Sequence, residues 1–242
     1  MFGKLMENVT RHLLQVSEVD DDSKIDIFSS INVSFGFSGI SGSNLVEHYV
    51  DQVHSNDITP AGRRTTSTDC KNRKVADGVG TNQKWSVGVK TADCLPILIS
   101  NFDGSYVLAV HAGWRGLARN IISASLEFLE RETGEKNDYF VLLGPCISPD
   151  CYEVGPEVVL SLKRCWNNIS SFDHDWFYKK GRFNRSYVDL SLFACKMFIS
   201  LGCPAKNIVI YRSCTFSNDK KWYSYRRDKK NSGRNWSWIS RV

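Results

Sequence analysis

Two short apolar runs joined by a tight polar connection constrain this chain more than any other feature. Residues 95–99 and 106–110 each have the length and the apolar content of a buried strand. Residues 101–104 between them include a glycine and predict a tight turn. The sequence therefore predicts a hairpin in which the start of the first strand lies beside the end of the second.

This hairpin would bring a thiol and an imidazole to one edge of a sheet. Cys94 directly precedes the first run, and His111 directly follows the second. Such a pair suits either a metal site or a nucleophilic Cys/His site. After His111, a turn containing Gly113 and Arg115 leads into a predicted helix at residues 117–132. Backbone N–H groups of a glycine-containing turn before a helix can bind an anion, and Arg115 adds positive charge there.

Length and composition favour a single globular domain. The 242 residues suffice for one sizeable core, and 42% of them are hydrophobic. No apolar run is long enough for a membrane helix, and the first 24 residues lack the pattern of a secretory signal. We therefore expect a cytoplasmic protein, without membrane contact, in which the eight cysteines are free thiols.

Further elements are predicted along the chain. Strands are expected at residues 31–37, 85–90, 139–143, 207–211 and 236–239, and helices at 7–16, 156–165 and 190–201. Asp189 is the expected N-cap of the last helix, and Gly202 its end. Residues 75–81 are interpreted as a turn. Residues 1–30 are interpreted as an N-terminal extension ahead of a catalytic domain at 31–242.

A basic and aromatic segment lies near the C-terminus, between Lys220 and Lys230. Its composition is typical of a solvated basic loop, an interpretation that we favour over a nucleic-acid surface. A third interpretation is a site that binds a small phosphate.

A set of short motifs occurs in a specific order along the chain. The motifs are QVH at 52–54, DG at 77–78, TADCLP at 91–96, AVHAGWRG at 109–116, GPCI at 144–147, YEV at 152–154, DL at 189–190, CT at 214–215, YSYRRD at 223–228 and GR at 233–234. In this set the chain resembles the YfiH/laccase-domain family, also called multicopper polyphenol oxidases, from about residue 35 to the C-terminus. The resemblance implies an α+β (mixed α/β) fold, a single domain with mixed β-sheets flanked by helices.

The resemblance also implies a metal centre and an enzymatic activity. A His–Cys–His zinc site maps onto His54, Cys94 and His111, which would also be the catalytic residues. The implied reaction is phosphorolysis of purine nucleosides (adenosine, inosine, guanosine and methylthioadenosine), with adenosine deamination as a second activity. The expected partners are therefore a purine nucleoside and phosphate, for a monomer or weak homodimer. Some bacterial members are linked to the editing of peptidoglycan precursors.

Candidate substrate-binding residues are charged side chains within these motifs. Guanidinium groups pair with phosphate in a bidentate fashion, and the candidates are Arg115, Arg226, Arg227 and Arg234. Asp77 and Asp93 are candidates for orienting a histidine ligand or for a general base, and a structural role in a turn is an equal alternative.

The chemistry in the family's name does not suit this chain. A multicopper oxidase needs many histidine ligands, mostly in His-x-His pairs, whereas this chain has five histidines and none in that pattern. We expect zinc, with copper able to occupy the same ligands in vitro. A metal-free hydrolase with Cys94 as nucleophile and His111 as base is an alternative, although two histidines converging on one cysteine favour a metal. Two further alternatives are a zinc- or cysteine-dependent hydrolase of peptidoglycan precursors and a non-catalytic metal-binding or thiol-sensing protein.

The chain departs from the family pattern in its first third. Only six residues separate Leu45 from Gln52, so a helix that family members carry there is expected to be missing or replaced. Residues 38–42 lack the usual arginine and glycine pair, and Ser55 replaces the glycine that usually follows the first histidine.

Overall fold

The computed structural model describes residues 16–20, 25–40, 46–62, 73–136, 138–169 and 175–242. Its strands are β1 (Ser17–Val19), β2 (Val33–Ser38), β3 (Ile58–Pro60), β4 (Gly78–Thr81), β5 (Val87–Thr91), β6 (Leu95–Asn101), β7 (Val107–Ala112), β8 (Tyr139–Leu143), β9 (Glu153–Val154), β10 (Tyr178–Lys180), β11 (Ser186–Val188), β12 (Ile208–Tyr211) and β13 (Asn235–Arg241). Its α-helices are α1 (Trp114–Ala118), α2 (Ile121–Thr133), α3 (Pro156–Asn167), α4 (Leu190–Ser200) and α5 (Tyr225–Asp228).

Seven strands form the central sheet, in the order β1-β12-β8-β6-β7-β4-β3. Strands β6 and β7 pair antiparallel in its middle, with Leu95 opposite Ala112 and Pro96 opposite His111. Strand β8 is antiparallel to β6, whereas β8, β12 and β1 run parallel to one another. The predicted hairpin is confirmed, and its register places Cys94 at the same edge as His111.

Both faces of the central sheet are buried, because side chains alternate along its strands. Leu95, Ile97 and Ile99 of β6 pack on one face against helices α2, α3 and α4. Leu98 packs on the other face with Val89 of β5, which belongs to a three-stranded antiparallel sheet in the order β2-β13-β5. A third small sheet has the order β10-β11-β9. The fold is thus the expected mixed α/β arrangement of several sheets and helices.

Two local predictions are wrong. Residues 75–81 contain strand β4, which pairs with both β7 and β3. The strand is glycine-rich and short, so it forms because its neighbours supply hydrogen bonds and not because its own sequence favours it. The predicted helix at 117–132 begins earlier, at Trp114, and is interrupted at Asn120, whose φ of 63° is left-handed.

Other local predictions are confirmed with shifted bounds. The Asp189 carboxylate accepts the Leu192 N–H at 2.8 Å and caps helix α4, and Gly202, with a φ of 99°, follows that helix. Helix α3 extends two residues beyond the predicted end, and β13 is longer than predicted at both ends. Residues 46–52 contain no helix, which agrees with the short spacing in this segment.

The N-terminal predictions are covered in part. The predicted helix at 7–16 lies outside the described residues except for its last position. Strand β1, within the predicted extension, pairs in parallel with β12 and joins the central sheet. The proposed bounds of 1–30 and 31–242 stay a prediction. Within the described ranges, none of the helices has the length and apolar content that a bilayer crossing requires.

Candidate metal centre

His54, Cys94 and His111 meet where strand β6 begins and strand β7 ends. Each offers a potential ligand atom, and these atoms all lie within 4.8 Å of one another. Cys94 Sγ is 3.9 Å from His54 Nε2, and the centroids of the two imidazole rings are 4.7 Å apart. The structure therefore brings together the three side chains that the sequence singled out, and this group could hold a metal ion.

The donor set fits zinc. Tetrahedral zinc, with bonds of about 2.3 Å to sulfur and about 2.0 Å to nitrogen, keeps such donors roughly 3.5 Å apart. The sulfur–nitrogen separation of 3.9 Å is close to that value. Three protein ligands also leave a fourth position for water or substrate, as in catalytic zinc sites. Within the described part of the chain no other group of three ligating side chains forms, so these residues do not supply a multicopper centre.

Asp77 holds both histidines from beneath the site. This fully buried carboxylate accepts a hydrogen bond from His111 Nδ1 at 2.7 Å, which fixes the tautomer and leaves His111 Nε2 for a metal. It also accepts the backbone N–H groups of Val53, His54 and Ser55 and the Ser55 hydroxyl. Burial would raise the pKa of Asp77, but these hydrogen bonds and the His111 charge outweigh it and lower the pKa to about 2. Asp77 is therefore an ionised positioning residue beneath the cavity.

Asp93 plays a similar part on the cysteine side. Its buried carboxylate accepts hydrogen bonds from Thr215 Oγ1 at 2.7 Å and from the backbone N–H of Arg226 at 2.6 Å. The backbone φ of Asp93 is 88° and that of His54 is 61°, both in the left-handed region that non-glycine residues rarely adopt. Such strain persists only where the surroundings impose it. Here the hydrogen bond from the His54 backbone N–H to Asp77 and the hydrogen bonds that the Asp93 carboxylate accepts hold the two residues in this conformation.

Gly113 permits the close approach of two ligands. A Cβ atom at this position would lie 3.0 Å from Cys94 Sγ and 3.0 Å from His54 Cδ2. Both distances are shorter than normal van der Waals contacts. A larger residue at position 113 would therefore push directly on the ligand set.

The metal-free centre favours a thiolate. Burial opposes ionisation of the Cys94 thiol, but the His111 charge and hydrogen bonds from both imidazoles lower its pKa to about 6. Burial would likewise lower the pKa of His111, yet the Cys94 charge and Asp77 raise it to about 9. A thiolate is both the form that ligates metals and the form that acts as a nucleophile.

A cavity of about 610 Å³ opens above this centre, and its lining has five cationic side chains and two carboxylates, those of Asp51 and Asp93. Its cationic lining residues are Lys90, Arg115, Arg226, Lys229 and Arg234. The Arg115 guanidinium lies 4.6 Å from the Trp114 ring centroid. Arg226 donates to the Glu153 carbonyl at 2.8 Å, and its guanidinium lies 5.4 Å from the Tyr152 ring centroid. These contacts hold two guanidinium groups at the cavity wall.

The structure separates the predicted substrate residues into two groups. Arg115, Arg226, Arg234 and Asp93 line the cavity. Asp77 and Arg227 do not, and the Arg227 guanidinium donates to the carbonyls of Thr215, Phe216 and Trp222 and to the Asp228 carboxylate. The expectation that Arg227 contacts substrate is thus not supported by its placement, since these hydrogen bonds tie it to the C-terminal segment.

Two lysines that line the cavity were not among the named substrate-binding candidates. Lys229 follows the YSYRRD motif directly, so the basic composition of this segment was a usable signal. Lys90 ends a run that predicts a buried strand, and no local pattern indicates that it borders the cavity. Its pKa is lowered by burial and by the charges of Arg73 and Arg234.

Curated proteins with similar sequences carry two kinds of name. Adenosine deaminase RL5, from an unknown prokaryotic organism, is 31% identical over 195 residues, which cover 78% of this chain and 73% of that protein. The purine nucleoside phosphorylase of Xylella fastidiosa strain Temecula1 is 32% identical over 200 residues, covering 80% and 71% of the two chains. Purine nucleoside phosphorylase YfiH of Escherichia coli strain K12 is 29% identical over 182 residues, covering 75% and 68%.

Solved structures and a family model agree with these relatives. YlmD from Geobacillus stearothermophilus superposes with a TM-score of 0.72 at 26% identity, over 81% of this chain and 74% of that one. A Bacillus licheniformis hypothetical protein YfiH has the same fold, with a TM-score of 0.74 at 24% identity over 83% and 76%. The family model for multi-copper polyphenol oxidoreductase laccase matches residues 21–242. The chain therefore belongs to this laccase-like, YfiH-type family.

Proposed function

We propose that this chain is a zinc-dependent purine nucleoside phosphorylase, with adenosine deamination as a second activity. The observation that carries the proposal is the position of the His54–Cys94–His111 cluster at the base of a cavity lined by five cationic side chains. The cluster suits a catalytic metal, and the cations suit a phosphate. Relatives named purine nucleoside phosphorylase and adenosine deaminase support a purine nucleoside as the second substrate.

The chain's own residues prepare the metal ligands. Zinc bound by the three side chains would polarise an oxygen atom or lower the pKa of a bound water towards neutrality. Asp77 fixes the His111 tautomer, and the His111 charge favours the Cys94 thiolate. Both effects are in place before a metal binds, so little reorganisation is needed.

Phosphorolysis places further demands on the cavity. The bond between the ribose C1′ and the base nitrogen breaks while a phosphate oxygen bonds to C1′, and positive charge develops on the sugar. Arg115 and Arg226 can hold the phosphate in a fixed orientation because guanidinium pairs with it in a bidentate fashion. Such charges are worth more in a cavity that excludes water than in bulk solvent. Trp114 and Tyr152 also line the cavity and add apolar aromatic surface that suits a purine.

The first experiment measures zinc content and nucleoside turnover on the same sample. Adenosine and inosine are offered with and without inorganic phosphate to the wild type, to Cys94→Ala and to the control Cys151→Ala, which lies outside the cluster. We expect about one zinc per chain and phosphate-dependent release of free base in the wild type and the control, and the loss of both in Cys94→Ala. Zinc without any nucleoside turnover would contradict the proposal and favour the precursor-editing hydrolase.

Adjacent lysines offer a matched test of the phosphate site. Lys229 lines the cavity, whereas Lys230 does not. Lys229→Gln should raise the KM for phosphate several-fold with a small effect on the KM for nucleoside, and Lys230→Gln should leave both unchanged. Equal effects of the two substitutions would mean that the net charge of the segment, and not a local phosphate site, is responsible.

One observation favours a second candidate function. The lowered pKa of the Cys94 thiol and the presence of the His111 imidazole beside it also suit a metal-free hydrolase with a cysteine nucleophile. That enzyme would keep its activity after treatment with a chelator and would be inactivated by one equivalent of iodoacetamide at Cys94. The proposed zinc enzyme would lose activity with the chelator and regain it when zinc is restored.

A further inference from the structure

Lys90 is a residue of the cavity wall whose ammonium lies over two aromatic rings. Its Nζ is 4.1 Å from the ring centroid of Tyr49 and 4.7 Å from that of Trp236. The ammonium forms no hydrogen bond and no ion pair with any residue that the structure describes. Aromatic faces attract a cation through the ring quadrupole. Because they carry no net charge, the N–H donors and the charge of Lys90 stay available to a ligand.

Hydrogen bonds fix both the backbone at Lys90 and the ring that its ammonium contacts. Gln52 Oε1 accepts the Lys90 backbone N–H at 2.8 Å, and Gln52 Nε2 donates to the Lys90 carbonyl at 2.7 Å. The Tyr49 hydroxyl accepts a hydrogen bond from Arg73 Nη1 at 2.9 Å, and the ring centroids of Tyr49 and Trp236 are 5.0 Å apart. The side chain is therefore preorganised, which lowers the entropic cost of binding a ligand.

The pairing of strands β5 and β13 brings a second cation next to Lys90. Trp236 of β13 lies opposite Lys90 of β5. Arg234 comes two residues before Trp236, a diagonal position that is about 7–8 Å away in a strand pair. Arg234 also lines the cavity, and among the described residues its guanidinium pairs with no carboxylate and donates only to carbonyls of its own segment. Two cations without a counter-charge thus lie at one edge of the cavity.

The cavity carries more positive charge than one phosphate neutralises. Its lining has five cations and two carboxylates, and the Asp51 carboxylate is already paired with Arg73 at 2.8 Å. An inorganic phosphate dianion held by Arg115 and Arg226 leaves Lys90 without a counter-charge. Unbalanced positive charge in a cavity favours the binding of a further anion.

From this arrangement we propose that Lys90 and Arg234 bind the 5′-phosphate of a purine nucleoside monophosphate, and that this nucleotide is the preferred substrate. The inference rests on the function proposed above and names its substrate class. Ammonium and guanidinium groups both recognise phosphate, and a 5′-phosphate is the group that gives a nucleoside such a charge. Lys90 is four positions before Cys94, so the two Cα atoms are at most about 14 Å apart, a distance that one nucleotide spans.

The 5′-phosphate keeps all its bonds during the reaction. As with a nucleoside, the bond between C1′ and the base nitrogen breaks, its electron pair stays with the base, and an oxygen of inorganic hydrogenphosphate bonds to C1′. The proton of the hydrogenphosphate passes to the base, so the products are a free purine and ribose 1,5-bisphosphate. Lys90 and Arg234 orient the ribose from its far end, a contribution that a free nucleoside cannot use.

The main test compares inosine with inosine 5′-monophosphate on the zinc-loaded, full-length protein. Calorimetric titration without inorganic phosphate gives the Kd of each compound, and turnover with saturating phosphate gives each KM. We expect the nucleotide to bind the wild type at least about tenfold more tightly, the usual size for charge-assisted hydrogen bonds. Lys90→Gln removes the charge and keeps most of the side-chain length, so it should abolish this preference. Its constants for inosine should change little, which also establishes that the variant is folded.

Two further variants separate this subsite from the net charge of the protein. Arg234→Gln should reduce the preference for the nucleotide as Lys90→Gln does. Lys84→Gln removes the same charge from an exposed lysine that lies just before β5 and outside the cavity lining, so it should change none of the constants.

The possible failures have different signatures. Turnover of inosine without a preference for the nucleotide would overturn the subsite and leave the phosphorylase function in place. The proposal would also be overturned if Lys84→Gln lost the preference equally, or if Lys90→Gln raised only the KM for inorganic phosphate. Tight binding of the nucleotide that depends on Lys90, without turnover of either compound, would support the subsite and contradict the phosphorylase function.

Discussion

At the scale of single residues, a few close contacts decide what the centre can bind. Asp77 contributes no atom to the cavity lining, yet its carboxylate contacts His111 and the backbone around His54. Gly113 contributes only the absence of a side chain, which leaves room for Cys94 Sγ and the His54 ring. Both residues act through the ligands that they position.

Gly113→Ala should weaken metal binding while leaving the fold intact. The φ of Gly113 is −69°, which alanine adopts without strain, so the expected effect comes from the 3.0 Å contacts of the new Cβ with two ligands. We expect metal affinity, measured by competition with a chelator, to fall roughly tenfold or more, a size usual for disturbed ligand orientation. Gly62→Ala is the control, since a Cβ there meets nothing within 4 Å. Equal affinities of the two variants would contradict the steric role.

The free energy of unfolding of the metal-free protein should fall as the pH drops from about 4 to about 2. Burial opposes ionisation of Asp77, but its hydrogen bonds lower the folded-state pKa from 3.8 to about 2. A carboxyl group whose pKa is lower in the folded than in the unfolded state stabilises the fold at pH values above its unfolded-state pKa. This stabilisation is lost as the pH falls through the folded-state pKa. The difference between these two pKa values corresponds to about 2 kcal/mol in the free energy of unfolding. Denaturation at pH 5 and pH 2.5 should show this contribution in the wild type and not in Asp77→Asn; the same pH dependence in both would exclude Asp77 as its source.

At the scale of secondary structure, the β6–β7 hairpin and helix α4 show two ways in which an element is fixed. The hairpin carries Cys94 and His111 at one edge because of its register. Helix α4 is fixed at its start, where the Asp189 carboxylate caps Leu192 and lies 3.1 Å from Arg212 Nη1. Arg212 extends from the end of β12, so the cap also joins the helix to the central sheet.

Asp189→Ala should destabilise the protein by about 1–2 kcal/mol, the usual cost of removing an N-cap side chain. Asp189→Asn keeps the capping oxygen and loses only the charge facing Arg212, so we expect a smaller loss. Urea denaturation of both variants and the wild type measures the difference. If Asp189→Asn lost as much stability as Asp189→Ala, the stabilisation would come from the ion pair with Arg212 and not from the cap.

At the scale of the whole molecule, the central sheet lies between helices and the β2-β13-β5 sheet. Strand β13 comes from the C-terminal end of the chain and pairs with β2 on one side and β5 on the other. Ile239 of β13 is fully buried in the second core. Strands β2 and β13, which lie far apart in sequence, are therefore joined in one layer, next to β5, the strand that leads into Cys94.

Ile239→Ala should lower the free energy of unfolding by roughly 2–5 kcal/mol, the range for removing a buried aliphatic side chain and leaving a cavity. Val242→Ala is the matched control, because Val242 is 66% exposed and lies just beyond the strand. Thermal or urea denaturation compares the two. A loss below about 1 kcal/mol in Ile239→Ala would mean that the second core can collapse around the smaller residue.

The sequence by itself determined the hairpin, the cap of helix α4 and the three residues of the candidate metal centre. Apolar runs, turn residues and capping residues act over short distances, so their patterns are local and visible along the chain. His54 was assigned to the candidate metal centre by the ordered set of motifs that the chain shares with the family, and no local pattern would have selected it. Strand β4 was not visible, because its hydrogen bonds come from β3 and β7.

Only the tertiary structure decided the place of each charged side chain and the acidity of the Cys94 thiol. Arg226 and Arg227 are adjacent in sequence, yet one lines the cavity and the other binds backbone carbonyls. Lys90 borders the same cavity without any sequence signal. The physical reason is that charge pairing and thiol acidity depend on neighbours in space, which the folded chain supplies and the local sequence does not.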